Sequence, residues 1–319
     1  MTANDTAGGT PDEATRRSTL WTRIWRRPGG LRAGWRLAGF TALFAAFSYP
    51  LVWATLWLWP AAAEVPGWAP LPLTAAEAIS LVAVLAALAA VARLERRPWS
   101  EYGLPLRHAF GRRFWEGSLW GLAAISAVIG LIALADGFTV LGLAIHGAEI
   151  VRWGLAWLVP FLLVGLYEEI FFRTYPAFAL ARGMGFWGGA LMLSAVFGAL
   201  HYFTKPQESW MDAAGTALVA LFLYMSLRRT GNVWFAIGFH FAFNFGSFFL
   251  YGGPNTGNEG QPLTGHLLDS LFYGPRWLTG GPTGPESSVF MFVVLAAAFA
   301  ALHFRFREVR FRPESSVRR

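Results

Sequence analysis

Long apolar runs recur along this chain and constrain its fold more than any other feature. A helix needs about 20 consecutive apolar residues to cross roughly 30 Å of hydrocarbon. Eight runs approach that length: 37–59, 73–92, 115–135, 153–172, 187–203, 211–227, 233–251 and 288–304. Charged residues make up only 14% of the 319 residues, below the roughly 25% of soluble domains. The sequence therefore predicts an all-α, polytopic membrane bundle of about eight transmembrane helices, of which 211–227 is the weakest because Asp212 opens it and Thr216 interrupts it.

The arginines predict the orientation of this bundle. They collect before the first run, between the second and third, after the fourth, after the sixth and after the eighth. The alternate loops hold only Arg152, Lys205 and Arg276. Because basic residues accumulate on the cytoplasmic side, both termini are predicted to be cytoplasmic and the loop 252–287 to face outward. The net charge of +7 follows from this bias and from an anionic inner leaflet, and it does not indicate a nucleic-acid partner.

The domain organisation follows from the same runs. We expect a cytoplasmic, disordered tail at 1–30, a transmembrane domain at 31–304 and a basic cytoplasmic tail at 305–319. The first run is too long for a cleavable signal peptide, although Ala61-Ala62-Ala63 resembles a cleavage site.

The chain has no cysteine, which excludes disulfides and thiolate chemistry. In the outer loop, residues 263–273 are expected to form a short interfacial helix. Because nearly all its cations are arginine, as in proteins from GC-rich bacterial genomes, we place the chain in a bacterial cell membrane.

Polar residues interrupt three of the apolar runs. A charged residue deep in a membrane helix costs about 3 kcal/mol on insertion scales, so it usually faces a partner or a wet cavity. The six residues are Glu168, Glu169 and Arg173 in the fourth run, His201 in the fifth, and His240 and Asn244 in the seventh. At 1.5 Å per residue, the three groups lie roughly 10–22 Å from the cytoplasmic ends of their helices. The sequence therefore predicts one buried site. Glu77 and Glu116, near run ends, are expected to snorkel instead.

The spacing of the six residues along their helices predicts a different role for each group. Glu169 and Arg173 are four apart, the spacing of an ion pair within one helix, which leaves Glu168 as the free carboxylate. Glu168 is therefore the predicted base, with His201 helping it to hold a water. His240 and Asn244 are also four apart and can together donate hydrogen bonds to an oxyanion. The structural alternatives are packing for Glu169–Arg173 and interhelical hydrogen bonding for His240–Asn244.

A zinc site is the alternative for the same residues. Glu168, His201 and His240 would form a two-histidine, one-carboxylate ligand set. No HExxH pairs two ligands on one helix with a base between them, and zinc binding would leave only Glu169 as the base. We therefore expect no cofactor.

The three motifs also carry a family resemblance. EExxxR, FxxxH and HxxxN, in that order on successive membrane helices, resemble the CPBP intramembrane endopeptidases, which include the type II CAAX prenyl proteases and the bacterial bacteriocin-processing and immunity proteins. The segment GNVWFAIGFHFAFNF at 231–245 is similar to the family's third motif, and the resemblance covers about 150–250. It implies that Glu168 with His201 activates the water and that His240 with Asn244 forms the oxyanion hole. Where the family often has Gly after the arginine, this chain has Thr174 and then Pro176, which should kink the helix.

Three functions compete at this stage. The first is an intramembrane endopeptidase acting on a membrane-associated peptide, which reaches the site from the cytoplasm or from the bilayer. The second is a non-catalytic immunity or regulatory scaffold of the same family, since family membership does not establish turnover. The third is a proton-coupled transporter with Glu168 as its relay, which would require further polar residues along a path to the outer face.

Overall fold

The fold is described from a computed structural model, which covers residues 26–27, 30–60, 68–205 and 207–313. Most of these residues are helical. In chain order the main elements are β1 (Arg26–Arg27), β2 (Gly30–Leu31), α1 (Ala33–Leu58), α2 (Pro70–Glu95), α3 (Arg112–Leu134), β3 (Phe138–Leu143), α4 (Ala148–Arg173), α5 (Tyr175–Met184), α6 (Phe186–Thr204), α7 (Trp210–Thr230), α8 (Trp234–Asn244) with a π-helical extension at Phe245–Leu250, β4 (Leu268–Phe272), α9 (Arg276–Thr279) and α10 (Val289–Arg305). Short 3₁₀ turns occupy Trp99–Tyr102, Leu106–His108, Thr256–Asn258, Gly281–Thr283 and Pro285–Ser287.

The helical membrane bundle expected from the sequence is confirmed. Within the described residues, six helical segments are long and apolar enough to cross a membrane, with α4 and α5 taken as one. Two shorter apolar helices, Trp234–Leu250 and Val289–Arg305, fall on the last two predicted runs. The weakest predicted run lies in α7, where Ser209 and Asp212 form a capping box. Asp212 therefore starts this helix instead of weakening it. Residues 1–25 and 28–29 of the predicted disordered tail, the Ala61-Ala62-Ala63 site and the end of the basic tail lie outside the described residues. The described part of that tail is ordered, since Arg26–Arg27 pairs antiparallel with Gly30–Leu31.

The helices pack as a bundle in which α8 is central to the site. The main neighbours are α3 with α8, α6 with α7, α2 with both α1 and α4, and α4 with α8. One large core cluster contains side chains from α1, α2, α4 to α8, and a second joins α3, α7, α8 and α10. The catalytic candidates lie between these clusters, on α4, α6 and α8.

Two local expectations have different outcomes. The predicted kink near Pro176 is present, because α4 ends at Arg173 and α5 begins at Tyr175, with Thr174 between them at φ −101° and ψ −107°.

The prediction of an interfacial helix at 263–273 is wrong. Leu268–Phe272 forms β4 instead and pairs antiparallel with β3, with Phe138 opposite Phe272 and Leu143 opposite Leu268. Leucines at 267, 268 and 271 fit a helical stripe, but burial alternates along β4, which is the period of a strand.

Candidate active site

One cavity of about 260 Å³ contains all six polar residues singled out from the sequence. Glu168, Glu169 and Arg173 reach it from α4, His201 from α6, and His240 and Asn244 from α8. Phe161, Phe197, Phe239 and Phe243 form part of its apolar wall. The three motifs, far apart along the chain, therefore share one enclosed space.

Glycines allow α8 to approach both α3 and α4 closely. A Cβ atom at Gly117 or Gly121 would lie 2.0 or 2.2 Å from a backbone oxygen of α8, and one at Gly238 would lie 2.0 Å from the oxygen of Phe114. On the other side, a Cβ at Gly165 would lie 3.2 Å from the oxygen of Ile237. Small residues at such positions are what allow membrane helices to pack backbone against backbone. This packing places the His240 side of α8 against the carboxylates of α4.

Glu169 is bonded to side chains of both α4 and α8. Arg173 Nη1 donates to Glu169 Oε1 at 2.8 Å, and both side chains are buried, with 1% and 0% exposure respectively. The ion pair expected from their spacing is therefore present. His240 Nδ1 donates to the same oxygen at 2.9 Å, a contact that spacing along one helix could not predict.

The guanidinium of Arg173 has further partners. Its Nη2 donates to the carbonyl oxygen of Ala220 at 3.4 Å. Its Cζ atom lies 5.0 Å from the ring centre of Tyr224 and 5.6 Å from that of Phe197. Arginine tolerates such burial because its charge is delocalised and stacks on aromatic faces. Arg173 is thereby fixed at the base of the cavity.

Glu168 has a different environment from its neighbour. Arg173 pairs with Glu169, whereas the nearest charged contact of Glu168 is His240 Nε2, at 3.8 Å from Oε2. The side chain of Glu168 keeps 22% of its surface exposed, against 0% for Glu169. Adjacent residues of a helix point about 100° apart, which produces this division. Glu168 is consequently the carboxylate that a molecule in the cavity can reach.

The two histidines present defined nitrogens to the cavity. His201 Nδ1 donates to the carbonyl oxygen of Phe197 at 3.0 Å, since that oxygen can only accept. A neutral His201 therefore has its acceptor at Nε2. In the described part of the chain, His201 and Glu168 form no direct hydrogen bond, although both line the cavity. His240 offers Nε2, because its Nδ1 is directed at Glu169. Asn244, one turn later, is followed by the π-helix Phe245–Leu250, a local widening that frequently marks functional sites.

Two acidic residues of the cavity were missed by the sequence analysis. Glu77 of α2 lines the cavity, and its buried Oε2 has no hydrogen-bond partner among the described residues. The expectation that Glu77 snorkels is wrong, because α2 begins at Pro70 and Glu77 lies deeper than the predicted run suggested. Glu286, from the outer connection, lines the cavity as well. In the sequence, Glu286 is a single acidic residue among Gly, Pro and Ser, and this pattern is too weak to identify a site residue.

Glu116, the other acid expected to snorkel, lies away from the cavity. It pairs with Arg113 at 2.6 Å and with Arg305 at 3.2 Å, on the arginine-rich face. This pairing gives Glu116 a structural role between α3 and α10.

The geometry also tests the predicted zinc ligands. Within the described ranges, no group of three His, Cys, Asp or Glu side chains is placed to hold a metal ion. As arranged, Glu168, His201 and His240 do not fit a zinc site, and no catalytic step is assigned to a metal.

Comparison with known proteins agrees with the motifs. Residues 150–246 match the family model described as type II CAAX prenyl endopeptidase Rce1-like. This confirms the resemblance over that segment and is consistent with the CPBP family, which suggests intramembrane protease activity. Neither the curated proteins nor the solved structures gave a significant match. Glu77 and Glu286 lie outside the matched segment.

Proposed function

Taking the family match over 150–246 as the premise, we propose that this protein is an intramembrane endopeptidase that hydrolyses a peptide bond of a membrane-associated substrate. The observation that supports this most is the unequal environment of the two adjacent glutamates. Glu169 is bonded to both Arg173 and His240, whereas Glu168 faces the cavity and no cationic side chain of the described residues donates a hydrogen bond to it. A reachable carboxylate beside two histidines is the arrangement that a general base requires.

In the proposed reaction, Glu168 removes a proton from a water that it holds together with Nε2 of His201. The oxygen of that water forms a bond to the carbonyl carbon of the substrate, and the electrons of the carbonyl double bond move to its oxygen. When the tetrahedral intermediate collapses, the bond between carbon and nitrogen breaks. Glu168 then delivers its proton to the departing amine, so protons and electrons balance within the site.

His240 and Asn244 are the proposed donors to the oxyanion. A His240 ring protonated at both nitrogens would donate from Nδ1 to Glu169 and from Nε2 to the oxyanion. Asn244 lines the same cavity one helical turn away and can donate from its amide nitrogen. Removing one such donor typically costs about 100-fold to 1,000-fold in kcat.

Glu169 and Arg173 are proposed as positioning residues. Glu169 fixes the ring of His240 through Nδ1, and Arg173 holds Glu169 in place at 2.8 Å. Both are too enclosed to meet a substrate directly, with 0% and 1% of their side-chain surface exposed. Their contribution is therefore to orient Nε2 of His240.

The transporter alternative gains one observation. Glu77, Lys205 and Glu286 supply polar residues along a path toward one face, which this alternative requires. A cavity open to one face does not separate the two functions, because an alternating-access transporter is also open to one face at a time. The family match over 150–246 is what favours hydrolysis over transport.

The experiment that tests the proposal also separates it from the non-catalytic scaffold. Tagged wild-type protein and the Glu168→Gln variant are purified from cells, and bound peptides and proteins are identified by mass spectrometry. A protease should retain intact substrate in the variant and yield cleaved fragments with the wild type. A scaffold would retain the same intact partners with both proteins. The matched control is Glu149→Gln, an exposed position in the first turn of the same helix, which should behave as wild type.

A further inference from the structure

The two ends of the bundle differ in charge. The start of α1 meets the end of α2 through Arg36 and Glu95, and the end of α10 meets the start of α3 through Arg305 and Glu116. These ends, together with the end of α7 at Arg228 and Arg229, form one arginine-rich face. Basic residues accumulate on the cytoplasmic side of membrane proteins. The arginine-rich face is therefore assigned to the cytoplasm.

The cavity reaches the opposite face. Its outer lining consists of Trp68 just before α2, Lys205 just after α6, and Glu286 in the connection that precedes α10. The side chain of Lys205 keeps 32% of its surface exposed, against 22% for Glu168. These positions lie next to helix ends that carry few arginines. The open end of the cavity is therefore on the side away from the arginine-rich face.

The cytoplasmic end of the cavity is closed. Arg173 lies across it, between the rings of Phe197 and Tyr224. The residues that follow along the chain, Thr174 and Tyr175, are 0% and 3% exposed and belong to the packed interior. Among the described residues, the cavity lining includes no member of α5 and no residue of the arginine-rich helix ends.

The outer connection forms a fixed rim around the opening. Trp157 Nε1 donates to the oxygen of Thr264 at 2.9 Å, and the chain at Leu267 donates to the oxygen of Phe249 at 2.7 Å. Near Glu286, Arg276 and Thr283 both bind the carboxylate of Asp212. The rim therefore holds Glu286 and the outer end of α7 in place beside the opening.

From these observations we infer that substrates enter the cavity from the extracytoplasmic face. The substrate class is then a peptide segment outside the cytoplasm, such as an exported peptide or the outer juxtamembrane part of a membrane-anchored protein. This inference rests on the proposed function only in treating the entering peptide as a substrate. The position of the entrance is a property of the cavity itself. It replaces the sequence-based expectation that the peptide arrives from the cytoplasm or from the bilayer.

Single cysteines in this cysteine-free chain test the entrance. Thr216→Cys places a thiol in the cavity wall on α7, at a residue with no part in the proposed chemistry. Ser226→Cys is its control on the same helix, since Ser226 is 0% exposed and does not line the cavity. Ser270→Cys in β4 reports the outer side, and Ser100→Cys, an exposed position beside the arginine-rich ends, reports the inner side. The probe is a membrane-impermeant, positively charged methanethiosulfonate, applied to intact spheroplasts and to inside-out vesicles.

We expect Thr216→Cys and Ser270→Cys to be modified in spheroplasts, with Ser100→Cys modified only in inside-out vesicles and Ser226→Cys in neither. Modification of Thr216→Cys only in inside-out vesicles, or from neither side, overturns the inference. So does modification of Ser270→Cys from the inner side alone, because it reverses the orientation. None of these measurements requires turnover. A cavity that is labelled from outside in a protein without peptidase activity would uphold the entrance and refute the proposed function.

Discussion

His240 donates from Nδ1 to Oε1 of Glu169 at 2.9 Å, and this bond connects α8 to α4 across the candidate site. Arg173 donates to the same oxygen at 2.8 Å. Oε1 of Glu169 thereby accepts from two donors in a buried environment, while Glu168, the next residue, faces the cavity. The different surroundings of these neighbours produce the sharpest prediction of the account.

Replacing Glu168 or Glu169 by glutamine should affect different properties of the protein. Glu168→Gln should abolish turnover with little loss of stability, because the side chain keeps its size and loses only its basicity. Glu169→Gln should destabilise the fold by about 3–5 kcal/mol, since Arg173 is left as a buried charge without its partner. Thermal melting in detergent and peptidase assays on the same preparations measure both effects. Equal losses of stability and activity in the two variants would contradict this division.

The packing of α8 against α3 predicts a difference between two glycines of one helix. Gly121→Ala should destabilise the protein by about 1–3 kcal/mol, because the added Cβ would lie 2.2 Å from the oxygen of Phe239, in the turn before His240. Gly130→Ala is the matched control, since nothing lies within 4 Å of its added Cβ. It should be neutral or stabilising by up to about 1 kcal/mol, because alanine favours helix. Equal melting temperatures for the two variants would refute the close approach.

Glu286 gives a pH prediction. Burial raises the pKa of Glu286 from its usual 4.5 to about 7, and Lys205 opposes the rise. The native state therefore keeps this proton more tightly than the unfolded chain, and the resulting stability is present at low pH and is lost as the pH rises through about 7. Glu286→Gln stays neutral throughout. The melting temperature of the wild type relative to this variant should fall between about pH 5 and about pH 8.5. A difference that is constant or rises over that range would contradict the burial of this carboxyl group.

The metal-free mechanism predicts the outcome of a metal analysis. Because no described trio of His, Cys, Asp or Glu side chains is placed to hold a metal ion, purified protein should carry well under one zinc per chain. Its peptidase activity should survive dialysis against EDTA. A protein with stoichiometric zinc, inactivated by chelation and reactivated by zinc, would show that the side chains rearrange around a metal and that the mechanism is wrong.

Much of the helical bundle could be predicted from the sequence, because apolar length alone identifies a membrane helix. The Glu169–Arg173 pair was predictable for a similar reason, since both partners lie on one helix four residues apart. The bond from His240 to Glu169 was not, because it depends on how closely α8 crosses α4, which is set by glycine contacts between distant segments.

Other features escaped prediction for reasons of position and period. The strand Leu268–Phe272 pairs with a partner more than 120 residues earlier, and its leucines satisfy a helical pattern as well as an alternating one. Glu77 was misjudged because an error of a few residues in the start of α2 moves a carboxylate from the interface into the cavity. The entrance of the cavity depends on the rim formed by the outer connection, which apolar runs do not describe.

Glu168 is proposed to activate the water that hydrolyses peptide bonds in this cavity. Wild-type protein, Glu168→Gln and the Glu149→Gln control are reconstituted in lipid vesicles and incubated with a mixed peptide library in water labelled with heavy oxygen. Mass spectrometry then identifies new carboxyl termini that carry the label. We predict labelled termini with the wild type and with Glu149→Gln. Glu168→Gln should give none, although its melting temperature equals that of the wild type. Labelled termini at the same rate with Glu168→Gln, or none with the wild type on peptides captured by the inactive variant, would contradict it.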